Sequence, residues 1–76
     1  MKTFIKMPPE YIGKEFDGDW QVTFYFDRFR IQTDVTATSG EQAIRYAEGS
    51  LPSHLFEYEH EEVKAELMGV YGEVTQ

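Results

Sequence analysis

The chain has no cysteine. Disulfide staples, thiolate metal sites and cysteine nucleophiles are therefore excluded, and nothing directs the protein to an oxidising compartment. It also lacks any apolar run near the roughly 20 residues that a membrane-spanning helix needs. The start, MKTFIKMPPEY, has no apolar stretch of the signal-peptide kind, so the expectation is a soluble cytoplasmic protein without membrane contact. Histidine is scarce: His54 and His60 are not spaced as a zinc pair, and no EF-hand pattern is present, so neither a metal nor another cofactor is expected. Ser39, Ser50 and Ser53 sit in no nucleophile motif, and the GxSxG and phosphate-loop signatures are missing. The residues thus point away from an enzyme.

Basic residues are the remaining shortage. Seven Lys and Arg face fourteen Asp and Glu, a net charge of −7. Residues 1–30 balance five acids against five bases, whereas residues 31–76 hold nine acids against only Arg45 and Lys64. An acidic half repels phosphate backbones and anionic membranes and favours basic protein surfaces. The expected partner is a protein with a basic surface, without direct contact to nucleic acid.

What the chain does have is aromatic mass: six Phe, five Tyr and one Trp in 76 residues. A domain this short buries only about 60% of its unfolded surface, and large rings are the means by which it can assemble a core. A single domain, monomeric or a homodimer, is expected.

The layout is clearest from Trp20 onward. Trp20, Val22, Phe24 and Phe26 alternate with Gln21, Thr23 and Tyr25, and after a reversal near Asp27 and Arg28 the period resumes with Phe29, Ile31, Thr33, Val35 and Ala37. This is a half-buried antiparallel hairpin. Ser39 followed by Gln42 reads as a capping box. Ala43, Ile44, Ala47 and Leu51 then form one helical stripe, ended by Gly49 and Pro52, and Glu41 precedes Arg45 by four in the order that favours an ion pair. Residues 53–71 fit either a helix or a strand. A helix would stack Glu57 on Glu61 and Glu62 on Glu66 as like-charge pairs, which favours a loop over residues 53–61 and a third strand from Glu62 to Tyr71. Residues 1–19, punctuated by Pro8, Pro9, Gly13 and Gly18, read as an irregular arm or a short strand. The fold class is α+β: a β-β-α-β domain, an antiparallel sheet with one helix packed on one face.

The candidate site is a protein-binding one. Glu57, Glu59, Glu61, Glu62 and Glu66, with only Lys64 among them, create a negative potential suited to a basic groove. Tyr58 and Tyr25 are the anchor candidates. The bland reading of the same run is a solvated segment that keeps an aromatic-rich domain soluble. Phe26, Arg28, Phe29 and Arg30 combine rings and positive charge at the hairpin tip, as single-strand binders do, or are core rings beside a charged turn. Pro8-Pro9-Glu10-Tyr11 matches PPxY, the ligand pattern of WW domains, and Tyr11 equally suits packing.

Trp20 at the first strand, Ala37, Thr38-Ser39 at the cap, Glu41-Gln42-Ala43-Ile44, Ala47-Glu48 and Pro52 together resemble the small early proteins with which phages disable host machinery, in particular the T7-type inhibitors of host RNA polymerase. The resemblance covers less than half the chain. It departs in the last strand, where those inhibitors carry arginines and EEVKAELMGVYG offers Lys64. It implies a compact, non-catalytic blocker whose surface acts on a host nucleic-acid-handling protein in the host cytoplasm, a profile that anti-CRISPR proteins share. The alternative from the residues alone is a structural or self-assembling subunit that uses an exposed sheet edge.

Overall fold

The computed structural model describes residues 2–52 and 61–75. Four strands and one helix follow in the order β1 (Lys2–Lys6), β2 (Glu15–Tyr25), β3 (Arg30–Ala37), α1 (Gly40–Ser50) and β4 (Glu62–Thr75). The sheet order is β1-β4-β2-β3. β2 pairs antiparallel with both β3 and β4, while β1 runs parallel to β4. The expected α+β domain with a helix on one sheet face forms, and the arm adds a fourth strand that makes the sheet mixed. Among the described residues no helix is long and apolar enough to cross a membrane.

The alternation in β2 sets the layers. Trp20, Val22 and Phe24 are fully buried with Val63 and Ala65 of β4, and Ala43, Ile44 and Ala47 of α1 close over them. Ser39 caps α1 as expected, its Oγ accepting from the Gln42 N–H at 3.1 Å. Gln42 Oε1 reaches back one residue further than in a standard capping box, accepting from the Thr38 N–H at 2.8 Å and the Thr38 hydroxyl at 2.9 Å. Gly49 does not end the helix, which runs on to Ser50 before Pro52. Glu41 and Arg45 are both exposed and form no ion pair among the described residues.

The greatest departure from the sequence reading is at the start of β2. Gly18 has the look of turn punctuation, yet it is buried within a strand that begins five residues before Trp20. Its role is spatial. A Cβ at this position would lie 2.7 Å from both Trp20 Nε1 and Leu67 Cδ1, so the missing side chain is the slot in which the indole lies. The indole N–H is thereby aimed at the Ala37 carbonyl, 3.2 Å away. Gly18→Ala is expected to destabilise the domain by about 1–3 kcal/mol through overpacking. Urea titration followed by circular dichroism reads this directly, and an unchanged midpoint would contradict the slot.

β2 and β4 are not in simple register. Trp20 faces Leu67 while Asp19 faces Gly69, which leaves Met68 as the extra residue of a bulge. A second irregularity lies between Asp17, opposite Tyr71, and Glu15, opposite Thr75. Gly72 within it has φ +68, a conformation that glycine adopts without steric cost.

Candidate protein-binding surface

One face of the sheet is covered by α1, and among the described residues no element covers the other. Pairing in the sheet arranges that open face in rows. Lys2, Glu62, Tyr25 and Arg30 lie side by side, then Phe4, Lys64, Thr23 and Gln32, then Lys6, Glu66, Gln21 and Asp34. Thr23, in the middle of the grid, is only 4% exposed although it belongs to the polar side.

The rows change the meaning of the acidic run. Glu57, Tyr58 and Glu59 lie outside the described residues. Glu61 sits at the entry to β4, where its N–H donates to the Tyr25 carbonyl at 2.9 Å and its carbonyl accepts from the Lys2 N–H at 3.0 Å. Glu62 and Glu66 are on the open face, but each has a β1 lysine beside it. Glu66 contacts Lys6 at 3.4 Å and Lys64 at 3.8 Å, and Glu62 stands between Lys2 and Tyr25. Tyr25 is half-buried in its row. Two of the lysines beside this end of the run, Lys2 and Lys6, come from β1, through parallel pairing between residues sixty positions apart in sequence.

Uncompensated negative charge and exposed apolar surface meet further along the same face, at residues the sequence reading did not select. Asp17 pairs with Tyr71, and Asp19 lies opposite the bulge that contains Met68. Met68 is 57% and Tyr71 55% exposed. Neither Asp17 nor Asp19 belongs to an ion pair among the described residues. Two large apolar side chains at two carboxylates form a surface suited to a basic partner that also buries hydrophobic area. Tyr71 and Met68 gave no sequence signal, because their proximity to Asp17 and Asp19 depends on the bulge.

The other sequence candidates are engaged elsewhere. Phe26 and Phe29 stack on each other, centroids 4.6 Å apart and planes 14° from parallel, which leaves one ring face fewer on each to accept a base. Pro9–Tyr11 forms a turn of 3-10 helix rather than an extended polyproline segment. Tyr11 packs on Phe16 at 5.3 Å, half-buried, so PPEY does not present the conformation that WW domains read. A groove of about 360 Å³ between this arm and the start of α1 is lined by Ile5, Tyr11, Phe16 and Gly40 among others. Among the described residues no three His, Cys, Asp or Glu side chains converge as a metal site would require.

The fold and this surface define a small α+β domain with a sheet face that no described element covers. Comparison with protein-family models, with curated proteins and with solved structures finds no match to this chain.

Proposed function

We propose that this chain is a non-catalytic protein-binding module, a small acidic inhibitor of the phage type that covers a basic surface of a host nucleic-acid-handling protein. The observation that carries the reading is that exposed Tyr71, paired with Asp17, and exposed Met68, in the bulge opposite Asp19, lie on strands whose other sheet face is covered by α1 and whose open face no described element covers. Apolar contact supplies affinity there, and the carboxylates supply orientation and a faster encounter with a cationic partner. The net charge of −7 supports a protein partner over a phosphate backbone. Of the acidic run, Glu61 adds an exposed carboxylate at the entry to β4, while Glu66 is held by its lysines.

A tagged pull-down from bacterial lysate at low and moderate salt tests the proposal, with the Asp17→Lys/Asp19→Lys and Glu59→Lys/Glu61→Lys/Glu62→Lys variants as controls. One host protein should be retained at low salt, weakened as salt rises, and lost with the Asp17/Asp19 variant. Its binding to the purified chain is then measured by calorimetry. Equal retention by the parent and both variants would remove the acidic surface from the mechanism, and an empty column would remove the proposed target.

A further inference from the structure

The two edges of the sheet are built differently. β1 is five residues long, carries Lys2 and Lys6, and runs on to Pro8 and Pro9, features that discourage another strand from pairing there. β3 is eight residues long, with neither lysine nor proline. Among the described residues it has a neighbour on one side only.

The direction of its unpaired groups follows from the hairpin. The Phe26 N–H donates to the Phe29 carbonyl at 2.8 Å, which fixes that pair as hydrogen-bonded. Antiparallel alternation then turns the main-chain groups of Ile31, Thr33 and Val35 toward β2, and those of Arg30, Gln32, Asp34 and Thr36 outward. The side chains of these last four are all exposed. Arg30 and Asp34 are about 13 Å apart along an extended strand, too far to reach one another, and neither joins an ion pair among the described residues.

A second copy of the same edge satisfies both. Antiparallel pairing about a twofold axis at Gln32 sets Arg30 of each copy opposite Asp34 of the other, and Gln32 opposite Gln32. The same register brings Phe29, 40% exposed, opposite Val35. Centring the axis on Asp34 opposes two carboxylates, and centring it on Thr33 leaves both charges without a directly opposed partner. We propose that the chain forms a twofold dimer through β3, in the register that pairs Arg30 with Asp34 across the axis and joins two four-stranded sheets into one. Such a contact uses the same edge on both copies, so it closes and does not propagate. The proposal is independent of the surface around Met68 and Tyr71.

Sedimentation equilibrium of the purified full chain over a range of concentrations is the test. The parent should shift from monomer to dimer mass as concentration rises. Arg30→Asp and Asp34→Arg should each weaken self-association at least about tenfold, since each sets like charges against each other twice. The doubly swapped chain should recover it. Because the protein has no cysteine of its own, oxidation of Gln32→Cys offers a second route that leaves the charges in place, and it should give a covalent dimer where Thr33→Cys does not. A monomer at every concentration would overturn the proposal. So would a dimer indifferent to both single changes, or one cross-linked through Thr33→Cys alone.

Discussion

Trp20→Ala is expected to remove a large share of the domain's stability at 25 °C. Trp20 is fully buried at the centre of the core, and truncating such a residue costs about 3–5 kcal/mol in transfer free energy and residual cavity. A domain of this length has a total stability of about 4–11 kcal/mol, so the loss takes from about a quarter to all of it. The substitution also removes the hydrogen bond from the indole N–H to the Ala37 carbonyl, which adds to the cost. Trp20→Phe keeps most of the ring volume and loses mainly the hydrogen bond, and should retain a cooperative transition at a lower urea midpoint. Circular dichroism with urea titration separates the two. An alanine variant that melts within about 1 kcal/mol of the parent would show that the core is not organised around this ring.

Two glycine-to-alanine changes in the same helix should move stability in opposite directions. Gly49 lies in α1 with open space around it, so Gly49→Ala is expected to gain about 0.5–1 kcal/mol from reduced freedom of the unfolded chain and better helix propensity. Gly40 begins the same helix, but a Cβ there would meet Ile5 Cγ2 at 2.5 Å, Cγ1 at 3.0 Å and Cδ1 at 3.1 Å. Gly40→Ala therefore drives β1 away from α1, at about 1–3 kcal/mol. All three close atoms belong to one side chain, which allows a cleaner experiment. The Gly40→Ala/Ile5→Ala double variant should be less destabilised than the sum of its single changes. Strict additivity in denaturant titrations would mean that the helix start and β1 do not share this contact.

These expectations also mark where the sequence was legible. The hairpin, the capped helix and the third strand announce themselves because their signals are local: alternation from Trp20 to Ala37, a cap at Ser39, like-charge avoidance over Glu62 to Glu66. β1 and the first residues of β2 do not, because their stability is supplied from a distance. Ile5 reads as one apolar residue among several until Gly40 is seen to receive it, and Gly18 reads as a turn until the indole of Trp20 is placed over it. The candidate surface divides in the same way. The negative run from Glu57 is visible in the letters, but the compensation of Glu66 by Lys6 requires the parallel pairing of the first strand with the last. The meeting of Asp17 with Tyr71 likewise requires a bulge that no local pattern signals.

The position of β1 also orders events in time. Among the described residues its one neighbour in the sheet is β4, and Lys2 meets Glu62, so β1 has nothing to add to until β4 is in place. Closing a loop of that length costs conformational entropy before any contact returns it. The β2–β3 hairpin, closed by a tight reversal, forms early by comparison. β1 is then a latch that shuts last and opens first. While it is open, Lys2 and Lys6 are withdrawn from Glu62 and Glu66, and the newly completed β4 shows a bare flank beside a face more negative than the one it presents at rest.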